Sequence, residues 1–91
     1  MRYISTRGTA PVLDFEAVTL AGLASDGGLY VPETWPRFGR SSIAALQGLS
    51  YVETAVRVCA PFVGDAMGEG ELRALLAKAY GHFDHAAVTP L

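Results

Sequence analysis

The sequence predicts a small α+β domain, mainly helical, with a short two- or three-stranded sheet. Three observations carry that reading. A chain of 91 residues has room for one small core. Two short stretches rich in β-branched and aromatic residues, Tyr3-Ile4-Ser5-Thr6 and Leu29-Tyr30-Val31, are bounded by Gly and Pro. The second half repeats apolar residues at helical spacing.

The elements follow in order. Tyr3 to Thr6 forms the first strand, stopped by Gly8 and Pro11. A helix comes next, with Asp14 as the capping oxygen and Leu13 placed to staple against Val18. Phe15, Val18 and Ala21 share one face, and Gly22 is suited to end the helix in a left-handed conformation. Ser25-Asp26-Gly27-Gly28 is a turn: an Asx residue precedes two glycines that accept positive φ. Leu29-Tyr30-Val31 is the second strand, closed by Pro32 and available to pair with the first. Pro32 to Arg40 is an irregular connection.

Three helices are expected after it. Ser41 or Ser42 caps a short one carrying Ile43 and Leu46, with Gly48 as its stop. Ser50-Tyr51-Val52-Glu53 has the form of a capping box. Behind it Val52, Ala55, Val56 and Cys59 fall at helical spacing, and Tyr51, Val58 and Phe62 widen the apolar face, so this helix is expected to be central. Glu53 and Arg57 stand one turn apart in the favourable order. Pro61 disfavours helical geometry at Ala60 and predicts an end there. The last helix spans about Glu69 to Tyr80, with Leu72, Leu75, Leu76, Ala79, Tyr80 and Phe83 as its stripe and Arg73 and Lys78 on the polar side. The tail from His85 to Leu91 reads as an interdomain connection.

Composition narrows the function classes. Hydrophobic residues make up 51% and charged residues 18% of the chain, against roughly 25% charged in ordinary domains. Either part of the surface is covered by another domain or subunit, or the domain carries a neutral, Ala- and Gly-rich skin. The net charge is −2 and the arginines are scattered, which argues against nucleic acid or an anionic membrane as partner. Cys59 is the single cysteine, so no internal disulfide can form and the chain reads as cytoplasmic. No signal-peptide core follows Met1, and every apolar stretch is broken well short of a membrane span.

The candidates for chemistry are few. Lys78, the only lysine, lies opposite the leucine stripe and reads as an exposed ammonium, not a Schiff-base amine. Cys59 falls on the expected buried stripe, as a core residue would. His82 and His85 flank Phe83-Asp84; they suit either a metal or a helix end that favours cations, and no further ligand is evident. Asp26-Gly27-Gly28 is a turn and lacks the lysine and glycine spacing of a phosphate loop. Ser5-Thr6-Arg7-Gly8 sets two hydroxyls and a guanidinium in one bend. That bend could hold a phosphate or carboxylate, or Arg7 could pair with Asp26 if the two strands are neighbours. No carboxylate pair and no serine–histidine–acid set is apparent.

The order of motifs adds to this. Tyr3-Ile4-Ser5-Thr6-Arg7-Gly8, then Gly22-Leu23-Ala24-Ser25-Asp26-Gly27-Gly28-Leu29-Tyr30-Val31-Pro32, then Leu49-Ser50-Tyr51 and Phe83-Asp84, resembles the amino-terminal domain of threonine synthases over nearly the whole chain. The resemblance implies a larger enzyme of the tryptophan-synthase-β-like fold. Such an enzyme converts O-phosphohomoserine and water to L-threonine and phosphate, using pyridoxal phosphate held by a lysine. That lysine belongs to an aromatic-rich stretch followed by aspartate, which Lys78 does not match. The glycine-rich loop for the cofactor phosphate has no counterpart here either, and Gly68-Glu69-Gly70 departs from the family at a helix start.

The chain is therefore expected to be an accessory domain, inactive alone, with no cofactor bound to it and the enzyme's own cofactor domains as its partners. Ser5, Thr6, Arg7, Asp26, Gly27 and Gly28 are the candidates for the active-site wall. A free-standing interaction module derived from the same domain, and a complete small hydrolase or metal enzyme, are the alternatives.

Overall fold

The computed structural model describes every residue from Met1 to Leu91. Its α-helices and strands run β1 (Tyr3–Ser5), α1 (Phe15–Ala21), β2 (Tyr30–Pro32), α2 (Arg40–Ala44), α3 (Tyr51–Val63) and α4 (Glu69–Tyr80), with a 3₁₀ turn at Gly64–Ala66 after α3. This is the expected small α+β fold with a two-stranded antiparallel sheet. The chain forms two compact units, one of Met1–Pro36 with Pro61–Ala66 and one of Arg37–Ala60 with Met67–Leu91.

In the first unit β1 and β2 pair as expected, with Tyr3 opposite Pro32, Ile4 opposite Val31 and Ser5 opposite Tyr30. The second strand includes Pro32, which was expected to close it. Glu33 N–H donates to Arg2 C=O, so Tyr3 and Pro32 form a non-hydrogen-bonded pair that needs no proline N–H. The backbone of Tyr3 exchanges hydrogen bonds with Leu13 on the other edge of β1. Asp14 caps α1 as predicted, its Oδ1 accepting from Ala17 N–H at 2.9 Å. Gly22 ends α1 with φ 72 but ψ −85, outside the left-handed helical well that was expected.

Tyr3, Ala24 and Val63 form the apolar core of this unit, and Ser5 is the polar residue buried in it. The Tyr3 hydroxyl donates to the Phe62 carbonyl at 2.5 Å. The Tyr3 and Phe15 rings sit 6.3 Å apart, and Trp35 meets Phe62 edge-on.

In the second unit the serine cap of α2 is not observed. The helix starts earlier, at Arg40, with Gly39 as a cap that has no side chain to offer. Leu46 lies beyond its end, and Gly48, at φ +80, closes the turn that follows. Ser50 caps α3, accepting from Glu53 N–H at 3.1 Å. The reciprocal half of the capping box is replaced by a stronger partner. The Glu53 carboxylate takes Arg73 of α4 side-on, Nε to Oε1 at 2.5 Å and Nη2 to Oε2 at 3.2 Å, and Arg73 also reaches Glu69 at 3.1 Å. Arg73 thus ties α3 to α4, and no Glu53–Arg57 ion pair forms. The Arg73 hydrogen bond holds the Glu53 carboxyl below its ordinary value against the opposing pull of desolvation.

Helix α3 also runs through Pro61 to Val63, past the expected stop at Ala60. Proline forfeits one N–H bond inside a helix. Burial of Val63 and the hydrogen bond from Tyr3 to Phe62 C=O favour the last turn nonetheless. Gly64, at φ +62, then ends α3 and begins the 3₁₀ turn. Val56 and Leu72 are the buried apolar residues of this unit. The expected broad burial of α3 is not met: Val56 is 1% exposed, whereas Tyr51 and Val58 are each 39% exposed. Helix α4 has the predicted bounds, but its stripe is only part buried: Leu72 is covered and Leu75 is not.

Candidate functional site

The antiparallel register brings the end of β1 beside the start of β2. It therefore places the Ser5-Thr6-Arg7-Gly8 bend against the Asp26-Gly27-Gly28 turn. Two backbone bonds shape this end of the sheet: Thr6 N–H donates to Leu29 C=O, and Gly8 N–H to Ser5 C=O. The Leu29 N–H returns to Thr6 Oγ1 at 3.0 Å. All six candidate residues are thus brought together, but their roles divide.

Asp26 is the hub. Its carboxylate accepts from the Ser5 hydroxyl, from Thr9 N–H and Oγ1–H, from Ala10 N–H and from Gly28 N–H, all between 2.7 and 3.0 Å. Partial desolvation pushes this carboxyl up. The Ser5 hydroxyl and the N–H groups of Gly28, Ala10 and Thr9 outweigh it and hold the group well below its ordinary value of 3.8. Asp26 is therefore an anion committed to its own loops.

The expected pairing of Arg7 with Asp26 takes a different form. Arg7 Nη1 donates to the Asp26 backbone carbonyl at 3.2 Å, and no ion pair with the carboxylate forms. The glycines explain the fit. Gly27 sits at φ +84, and a Cβ there would stand 2.7 Å from Arg7 Nη1. A Cβ on Gly28 would stand 2.5 Å from Ser5 Oγ and 3.0 Å from both Asp26 Oδ1 and Thr6 Oγ1. Ser5 and Gly28 are buried, while Thr6, Arg7 and Gly27 are exposed. Thr9 and Ala10 belong to the cluster although sequence reasoning did not single them out. Ala10 enters through its backbone N–H alone, which leaves no mark on residue type, and Thr9 through both its N–H and its hydroxyl.

The other candidates stay apart from this cluster. Cys59 is only half-buried; with Tyr51, Thr54, Ala55, Val58 and Tyr80 it lines an open hollow of about 240 Å³. Its expected place in the core is taken by Val56. His82 and His85 are exposed beyond the end of α4, where His85 Nδ1 accepts from Ala87 N–H. No group of three or more His, Cys, Asp or Glu gathers as a metal site. Lys78 is exposed on α4. A lysine that forms an imine needs a poorly solvated amine, so the residues here do not fit a lysine-held pyridoxal phosphate. No helix is long and apolar enough to cross a membrane.

The model of the threonine synthase N terminus matches residues 2–80. Threonine synthase of Pseudomonas aeruginosa is 57% identical over 91 residues, covering 100% of this chain and 19% of that protein. Threonine synthase-like 2 of Homo sapiens is 38% identical over 92 residues, again covering 100% of this chain and 19% of the relative. Among solved structures, a PLP-bound threonine synthase from Brucella melitensis matches with a TM-score of 0.96 at 50% identity, covering 100% of this chain and 20% of that one. The chain thus spans about a fifth of the length of the proteins it matches. Sequence and fold agree over the same stretch: the chain belongs to the threonine synthase N-terminus family.

Proposed function

We infer that these residues are the amino-terminal domain of a threonine synthase, which in full length converts O-phosphohomoserine and water to L-threonine and phosphate in the cytoplasm. Pyridoxal phosphate is that enzyme's cofactor, and polypeptide outside these 91 residues holds it. The domain alone is inactive. Its partners are the cofactor domains, against which it packs; it takes neither nucleic acid nor membrane. The end of the sheet that carries Ser5, Thr6, Arg7, Asp26, Gly27 and Gly28 forms part of the active-site wall.

One observation carries this reading. A fold matching a PLP-bound threonine synthase at TM-score 0.96 is combined with a sole lysine that lies exposed on a helix. The domain has the family's scaffold without an amine suited to the family's chemistry. Exposed Leu20, Leu23, Leu29 and Trp35 support a covered surface in the first unit.

The test is a chimera in which this chain replaces the matching segment of the Pseudomonas aeruginosa enzyme. Phosphate release from O-phosphohomoserine is expected to persist in the chimera, since the exchanged segments are 57% identical over 91 residues. A folded chimera that retains pyridoxal phosphate but releases no phosphate would refute the assignment.

A further inference from the structure

We propose that Arg7 is a substrate-binding residue that grips an oxyanion of the substrate through its Nε–Nη2 edge. The proposal rests on the active-site wall reading above and narrows it to one side chain and one chemistry.

The two arginine clusters of the chain supply the comparison. Arg73 uses its Nε–Nη2 edge to hold both oxygens of Glu53, and Arg2 uses Nε on Glu33. Arg7 differs. It spends Nη1 on the Asp26 carbonyl, and no acceptor of this chain takes Nε or Nη2. That edge is the side-on fork whose two parallel N–H groups match a carboxylate or a phosphate.

The guanidinium is also held in place. Its Nη1 hydrogen bond fixes one end, and the absence of a Cβ on Gly27 makes room for that end, with Nη1, Cζ and Nε at 2.7, 3.3 and 3.9 Å from where a Cβ would stand. The backbone beneath is fixed too, because Arg7 N–H donates to Ser5 Oγ, and Ser5 Oγ donates to Asp26. The nearest carboxylate does not quench the fork, since Asp26 directs both oxygens to Ser5, Thr9, Ala10 and Gly28. A pre-fixed arginine loses less freedom on binding than a mobile one. Within the cluster Ser5 Oγ donates to Asp26 and Thr6 Oγ1 accepts from Leu29 N–H, so the open fork of Arg7 is the charged donor that the cluster offers a ligand.

The experiment uses the active chimera. Arg7→Ala is expected to raise KM for O-phosphohomoserine about 10- to 100-fold with kcat changed much less, as for loss of a charge-assisted bidentate contact. Arg7→Lys keeps the charge without the fork and recovers only part of that loss. Inorganic phosphate as inhibitor separates the two oxyanions of the substrate. A matching rise in its inhibition constant assigns the fork to the phosphate; an unchanged constant beside a raised KM assigns it to the carboxylate. Affinity for pyridoxal phosphate stays at the wild-type level in either case.

An unchanged KM in Arg7→Ala would overturn the proposal while leaving the domain assignment intact, because the parent chimera still turns over. Full recovery by Arg7→Lys would overturn the fork. Weakened cofactor binding that accounts for the KM change would move Arg7 from substrate to cofactor and overturn it equally.

Discussion

The Ser5 hydroxyl lies 2.7 and 2.8 Å from the two carboxylate oxygens of Asp26, 21 residues further along the chain. One buried hydroxyl and one carboxylate thereby lock the bend after β1 to the turn before β2. Thr9, Ala10 and Gly28 complete the shell around Asp26, and Arg7 is left as the outward-facing charge of the cluster.

Removing the Asp26 carboxylate strands the Ser5 hydroxyl and three backbone N–H groups at once. Asp26→Ala is expected to lower Tm by at least about 5 °C in this chain, because unpaired donors in a small domain are costly and its Tm responds steeply. Asp26→Asn keeps one acceptor oxygen and falls between the two. Thermal unfolding followed by circular dichroism measures both.

The same carboxylate predicts an acid response. Its pKa is depressed in the folded state relative to 3.8, so its stabilisation is complete above that unfolded value. It is lost as pH falls below 3.8 toward the folded-state value. Glu53, also depressed, adds to the same slope from its ordinary value of 4.5 downward. Urea midpoints between about pH 6 and pH 2 should fall with acid in the parent and fall less in Asp26→Asn.

Gly28 is constrained by space, because its φ is not in the positive range. Gly28→Ala would drive a methyl against Ser5 Oγ and Asp26 Oδ1 and is expected to cost about 1–3 kcal/mol by overpacking. Urea unfolding of the variant decides it; a neutral result would mean that the cluster yields more easily than its hydrogen bonds suggest.

On α3 the burial pattern orders two conservative changes. Val56→Ala, at a site 1% exposed, is expected to destabilise by about 2 kcal/mol. Val58→Ala, at a site 39% exposed, should cost less than about 1 kcal/mol. The two unfolding midpoints compare them directly.

The sequence made some of this legible and hid the rest for identifiable reasons. The Asp14 cap, the bounds of α4 and the pairing of β1 with β2 follow from local signals: an Asx side chain before an apolar face, a repeating leucine stripe and turn-bounded strands. The path of α3 through Pro61 is not local, because the Tyr3 hydroxyl that serves its last turn lies 59 residues away. The loss of the Glu53–Arg57 pair to Arg73 likewise depends on a neighbour distant in sequence. At the candidate site, the six residues are visible in the sequence as two motifs, and their meeting is one of the two readings open for the Arg7 bend. The division of labour is not visible there: Thr9 and Ala10 N–H groups fill the Asp26 carboxylate, and Arg7 meets the Asp26 backbone carbonyl instead.

The central claim is that this domain completes an active site whose reacting groups lie in other polypeptide. The direct measurement is phosphate release from O-phosphohomoserine by this chain alone, by a threonine synthase lacking its matching segment, and by the two mixed. The account predicts no release by the chain, little by the shortened enzyme, and recovery on mixing. Release by the chain alone, or full activity of the shortened enzyme without it, would contradict the account.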